Sequence, residues 1–234
     1  MFRFRYYIIH GVDREREPRL RKELTDTGVD PDGTDVYWVR HPNKDELSEE
    51  FIQSIIPSHD FLTHNFLYKP SDLRPGMISC SYKHYLGLKD FVENHPDCPY
   101  AVIMEDTVGF QPGTRIQETL TKYIQQLDEL YPGEWDVLFD CDWCDVYEHP
   151  IQNDVLVYPK SNHLEYRDGR MHGGTRVARF YLVTQSCAKK LVEHWLPLHF
   201  SPDWWMNDLF RMLNIRSFWS QPPVVFTYPH ESTA

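Results

Sequence analysis

Short continuous apolar runs alternate along the chain with longer stretches in which apolar positions recur every three or four residues. Tyr6–Ile9, Val36–Val39, Tyr100–Met104, Val137–Phe139, Phe180–Val183 and Val224–Phe226 are of the first kind. Bounded by Pro, Gly or Asp, such runs predict strands covered on both faces. The clearest stretch of the second kind is Thr114–Tyr131, where Ile116, Leu120, Tyr123, Ile124, Leu127, Leu130 and Tyr131 share one helical face. Thr114 followed by Gln117 predicts a capping box, and Pro132-Gly133 a stop. Met77–Asn94 aligns Ile78, Tyr82, Tyr85, Leu88 and Val92. Gln185–Leu196 aligns Ala188, Leu191, Val192 and Trp195. Ser201-Pro202-Asp203 predicts a further helix start, with Ser201 as N-cap and Leu209, Met212 and Leu213 turned inward.

Strand–helix alternation predicts an α/β fold with a Rossmann-like, mostly parallel central sheet flanked by helices. Ligands of such sheets bind beyond the carboxyl ends of the strands. The segments to read for chemistry are therefore 10–16, 105–110, 140–145 and the surroundings of Ser201.

At 234 residues the chain is expected to form one domain, 1–234. Lys+Arg is 24 against Asp+Glu 35, a net charge of −11, which speaks against a general nucleic-acid binder. Hydrophobic residues at 41% and aromatics at 15% exclude a disordered chain. No apolar run approaches the ~20 residues of a membrane span. The apolar run near the start, Tyr6–Ile9, is shorter than the roughly 7–15 residues of an export signal. Five cysteines, an odd number, together with that short run predict a reducing, cytoplasmic setting.

Glu105 and Asp106 end the third strand. Two acids there are costly unless solvated, paired or bound to a cation. They read either as a divalent-metal and nucleotide-sugar site or as a solvated strand end. A second acidic cluster, Asp140-Cys141-Asp142-Trp143-Cys144-Asp145, follows the fourth strand. Asp140 and Asp142 could present carboxylates to a metal, could form a polar turn, or could serve a phosphohydrolase. Cys144 stands where the phosphohydrolase motif wants Thr or Val. Cys141-x-x-Cys144 lacks a second pair for a structural zinc site, and the acids around it oppose a low thiol pKa. Arg14 and Arg16 follow the first strand, where a planar guanidinium suits a diphosphate or simply opens a solvated helix.

The order of motifs resembles glycosyltransferase family 25, the lipopolysaccharide and collagen galactosyltransferases. Gly76-x-x-x-Cys80-x-x-x-His84 matches its helix, and Tyr100–Asp106 its hydrophobic strand ending in Glu-Asp-Asp. Tyr6–Arg16 resembles its opening strand and turn. Gly174-Thr175, Tyr181-Leu182-Val183 and Ala188-Lys189-Lys190-Leu191 resemble its later signature, and Pro202-Asp203-Trp204-Trp205 and His230-Glu231-Ser232-Thr233 its last landmarks.

The resemblance implies a GT-A fold and an inverting transfer of a hexose from a UDP-sugar to a hydroxyl of a glycan, lipid-linked sugar or glycoprotein. Residues 1–110 would hold the nucleotide and 111–234 the acceptor. Arg14, His84, Glu105 and Asp106 would border the donor. Mn²⁺ or Mg²⁺ would be held among Asp106, Asp140, Asp142 and His230. Asp203 would be the general base, with Asp208 a second choice. The third acid of Glu-Asp-Asp is Thr107 here, a weaker ligand for a hard cation. That departure leaves open a protein that binds nucleotide-sugar or glycan without turnover. Trp204, Trp205 and Trp219 could lie under acceptor sugars or pack in the core.

Overall fold

The computed structural model describes residues 2–11, 15–56, 73–141, 152, 154–163, 165–167, 170–174 and 177–228. The chain begins with β1 (Phe4–Ile9), α1 (Arg16–Asp26), β2 (Val36–Val39), α2 (Glu49–Ile55), α3 (Pro75–Asn94), β3 (Tyr100–Glu105) and β4 (Val108–Phe110). It continues with α4 (Ile116–Leu130), β5 (Val137–Phe139), β6 (Val157–Lys160), β7 (Glu165–Arg167), β8 (Arg170–His172) and β9 (Phe180–Thr184). It closes with α5 (Gln185–His194), α6 (Pro202–Met212), β10 (Ser217–Ser220) and β11 (Val225–Thr227).

Seven strands form the central sheet in the order β2-β1-β3-β9-β5-β10-β6. The β1–β2, β1–β3 and β5–β10 pairs are parallel; β3–β9, β5–β9 and β6–β10 are antiparallel. The sheet is thus mostly parallel, as the sequence pattern predicts, with only β9 and β6 opposing the common direction. The inserted β9 matters for function. Running backwards, it starts where β3 and β5 end, with Phe180 beside Met104 and Tyr181 beside Phe139. It thereby delivers Arg179 to the carboxyl end of β3, where the Glu105 amide donates to the Arg179 carbonyl at 2.8 Å.

Each face of the sheet is covered, which is why the central strands read as continuous apolar runs. Tyr7, Ile9, Ala101, Ile103, Phe139 and Tyr181 pack with α3, α5 and α6. Tyr6, Ile8, Val102, Met104, Leu138 and Leu182 pack with α1 and α4. The period of two therefore separates the neighbouring acids, sending Glu105 towards the α3 face and Asp106 towards the α1 face.

Several local expectations change. Val224–Phe226 is realised as β11, which pairs with β4 outside the central sheet. No capping box forms at Thr114; α4 starts at Ile116, whose amide donates to the Thr27 carbonyl at 3.3 Å. The end of α1 caps α4 in place of the side chain. Ser201 does precede α6, and Leu209 is buried, but Met212 is 58% exposed, because Trp205, Met206, Leu209 and Phe210 already fill the inward face. Among the described residues no helix is long and apolar enough to cross a membrane.

Candidate functional site

From β1 the chain leaves through α1 to β2 on one side, while β3 lies on the other side of β1. That switch point, at the strands' carboxyl ends, is the usual ligand position in such sheets. His10 and Gly11 leave β1 there, and Glu105 and Asp106 leave β3.

Asp106 is buried and fully engaged. Its Oδ2 accepts from His10 Nδ1 at 2.8 Å and from the Gly11 amide at 2.7 Å. Its Oδ1 accepts from Arg16 at 3.3 Å, and its carbonyl from Arg19 at 3.0 Å. Burial disfavours the charge, but the bonds from His10 and Gly11 and the Arg16 guanidinium outweigh it and hold the carboxyl below its ordinary range. The second nitrogen of His10 lies 3.3 Å from Glu17, and its ring meets Trp38 edge-on at 5.5 Å. Beneath, buried Lys83 donates to the His10 carbonyl and to Asn43 Oδ1, both at 2.7 Å. Burial lowers its pKa. Arg19 also lies over the Tyr228 ring, 4.0 Å from its centroid. Asp106 thus ties the end of β1 and the start of α1 to β3 and holds two arginines there.

On the other face, α3 presents Cys80 and His84 one turn apart, and Glu105 meets them from β3. Glu105 Oε1 is 3.9 Å from Cys80 Sγ and 3.6 Å from His84 Nε2; its Oε2 is 3.9 Å from Arg179 Nε. His84 is fully buried, stacked between Tyr181 and Trp195 with ring centroids 5.8 and 6.4 Å away. Its Nδ1 lies 3.1 Å from the Tyr181 hydroxyl, while Nε2 has no hydrogen-bond partner. Burial, then the charges of Glu105 and Asp203, push the Cys80 thiol well up, which argues against a nucleophilic thiolate.

Asp203 joins this group from the first turn of α6. Its Oδ1 accepts from Ser201 Oγ at 2.7 Å. Loss of water around it, with the neighbouring Glu105 charge acting in the same direction, raises its carboxyl to about 6. Cys80, His84, Glu105 and Asp203 are therefore neighbours at the carboxyl end of β3. The sequence reading named three of them for chemistry; Cys80 entered only as a motif residue, and its signal was the four-residue spacing to His84 on a helix.

Other predicted residues lie elsewhere. Asp140 is buried beneath α4, where Oδ1 accepts from the Val224 and Val225 amides at 2.8 and 3.3 Å. It anchors the approach to β11. Burial raises its carboxyl to about 6. Asp208 is five positions from Asp203, about 140° around the helix; it is buried and accepts from Arg211 at 2.9 Å. Trp205 and Trp219 are core residues, and Trp205 donates to the Trp195 carbonyl at 2.8 Å. Trp204 is half-buried against the same core. Arg14, Asp142, Cys144 and His230 lie outside the described residues. His10, Arg19 and Arg179 were not singled out by pattern, since nothing local marks a residue that turns inward at a strand end.

The hard-cation set implied by the resemblance does not come together among the described residues. The oxygens of Asp106 are held by His10, Gly11 and Arg16, and Asp140 faces backbone amides on a different part of the sheet. Thr107, in place of the family's third acid, is buried with its hydroxyl unbonded. The one described group of at least three His, Cys, Asp or Glu residues with converging ligand atoms is Cys80, His84 and Glu105, all within 4.8 Å of one another.

No family model and no curated protein matches the chain. A solved structure, A197 from STIV, superposes with a TM-score of 0.45 at 10% identity, covering 94% of this chain and 81% of that one. That likeness is too distant to carry a residue or an activity across.

Proposed function

We propose that the protein is an inverting glycosyltransferase of GT-A type that moves a hexose from a UDP-sugar to a hydroxyl of a glycan, lipid-linked sugar or protein. The carrying observation is that Glu105, at the end of β3, and Asp203, at the start of α6, come together around Cys80, at the carboxyl end of the sheet near the β1–β3 switch point. The ordered resemblance to family 25 supplies the reaction class, and both acids belong to its motifs.

In this reading the diphosphate lies beside Arg16 and Arg19, which Asp106 holds in place through charge-assisted hydrogen bonds. Glu105 borders the sugar-nucleotide. Asp203 takes the proton of the acceptor hydroxyl as that oxygen attacks the anomeric carbon, and UDP departs from the opposite face. Residues 1–110 then serve the donor and the later part of the chain the acceptor. Asp106 is held by His10, Gly11 and Arg16, and Asp140 lies on a different part of the sheet, so the two carboxylates do not meet to hold Mn²⁺ or Mg²⁺. Thr107 favours a second reading, a protein that binds nucleotide-sugar without transfer.

A UDP-release assay tests both. UDP-galactose, UDP-glucose, UDP-N-acetylglucosamine and UDP-xylose would be supplied with an acceptor mixture, with Mn²⁺, Mg²⁺ or chelator. Release from one donor, reduced about 100-fold or more in a folded Asp203→Asn variant, is the expected result. Thermal stabilisation by UDP without release would favour the binding protein. The absence of both release and stabilisation would overturn the nucleotide-sugar reading.

A further inference from the structure

We propose that Cys80, His84 and Glu105 form a binding site for a borderline-soft divalent cation of the zinc class, clamping α3 to the carboxyl end of β3. The site does not depend on the glycosyltransferase reading, and its occupant differs chemically from the oxygen-loving cation implied by the resemblance.

The geometry starts from the helix. Residues four apart on α3 lie above one another on one face, so Cys80 and His84 present sulfur and nitrogen to the same point. Glu105 supplies oxygen from the strand opposite. Two of the three ligand spacings are 3.9 and 3.6 Å, and all three atoms fall within 4.8 Å of one another. Zinc bonds of about 2.0–2.3 Å in a tetrahedron place ligand atoms roughly 3.3–3.8 Å apart. A contraction of at most about 1.5 Å therefore closes the set.

A second observation comes from His84. Its Nε2 is buried without a hydrogen-bond partner and lies towards Glu105. A buried imidazole nitrogen left unbonded is costly. Donation from Nδ1–H to the Tyr181 oxygen would leave the Nε2 lone pair for a metal, the outer-shell arrangement usual for metal-binding histidines. Stacking between Tyr181 and Trp195 fixes the ring plane. Sulfur, nitrogen and oxygen together suit zinc or cobalt and disfavour magnesium and calcium. Three protein ligands leave a fourth position open.

The test uses the full chain, stripped with chelator and titrated with Co²⁺ and then Zn²⁺. The expected result is one equivalent of Co²⁺ with tetrahedral visible bands and a thiolate charge-transfer band, displaced by Zn²⁺. Cys80→Ser should abolish the charge-transfer band and weaken Zn²⁺ binding at least tenfold with unchanged circular dichroism. Cys144→Ser should leave both intact. Glu105→Gln should keep the band but weaken binding about tenfold, which serves as the readout if Cys80→Ser does not fold. Absence of a thiolate band, a band that survives Cys80→Ser or is lost in Cys144→Ser, or unchanged affinity in Glu105→Gln would each overturn the site.

Discussion

His10 and Asp106 stand 96 positions apart in sequence, yet their side chains meet at 2.8 Å where two parallel strands end. The pair closes the turn that leads into α1, and with Gly11 and Arg16 it uses the whole carboxylate. Both partners are buried, so removing one leaves the other uncompensated.

Asp106→Ala is therefore expected to destabilise the protein by about 3–5 kcal/mol near neutral pH. Because the folded pKa is depressed, the stability it lends is complete above the unfolded value near 4 and is lost as pH falls through the folded one. Urea unfolding of wild type and variant should show the gap narrowing in acid. A gap that stays constant from pH 7 to pH 3 would contradict the ion-paired assignment.

Asp140 has the opposite sign. Its folded pKa of about 6 lies above the unfolded value, so ionisation is resisted in the folded state. Below about pH 4 both states are protonated and no penalty exists; it grows up to about pH 6 and is constant beyond. Asp140→Asn keeps an acceptor for the Val224 and Val225 amides, and should gain on the order of 2 kcal/mol relative to wild type between pH 4 and pH 7. Asp140→Ala escapes the same penalty but strands those amides, so it should lie about 1–3 kcal/mol below Asp140→Asn at every pH. Thermal melts across the pH range would decide, and parallel curves for wild type and Asp140→Asn would be the contrary outcome.

Lys83 supports the site from below through two bonds of 2.7 Å, to the His10 carbonyl and Asn43. Lys83→Met keeps most of the volume but leaves two buried acceptors without their donor. A loss of about 2–4 kcal/mol in denaturant stability is expected. A loss below about 0.5 kcal/mol would mean that water replaces the ammonium at little cost.

Gly109 lies in β4 under two aromatic rings. A methyl there would stand 2.6 Å from Phe226 and 2.7 Å from Tyr228. Tyr228 hydrogen-bonds Glu23 at 2.5 Å and packs under Arg19. Gly109→Ala should cost about 1–3 kcal/mol and loosen the packing of Arg19 on Tyr228. Denaturant melts and amide exchange at β4 and β11 measure it; wild-type protection there would show that the rings yield freely.

The principal strands and the later helices could be read from the chain because burial on both faces imposes long apolar runs, and packing on one face imposes helical spacing. Val36–Val39 and Val137–Phe139 match their strands at both ends. The elements that escaped are those whose burial is not written locally. In α1 only Leu20 and Leu24 are buried, so its charged surface hides the period. β10 carries Ser217 and Ser220 into the core, where Ser217 bonds Asn162.

The candidate site divides in the same way. Glu105, Asp203 and His84 were visible because acids at strand or helix ends and a motif histidine stand out in a linear string. That Asp106 is spent on His10, Gly11 and Arg16, and that Asp140 serves the amides of Val224 and Val225, depends on partners 84 to 96 positions away. Strand register chooses those partners: the last residue of β3 and the one that follows it point to opposite faces, so adjacent acids meet different neighbours. The sequence by itself determined an α/β sheet with acids at its carboxyl edge. The reversed β9, which brings Arg179 to Glu105, and the pairing of Cys80 and His84 with that acid were decided by how the layers pack, because the charge of each group is settled by whatever the sheet places within a few ångströms of it.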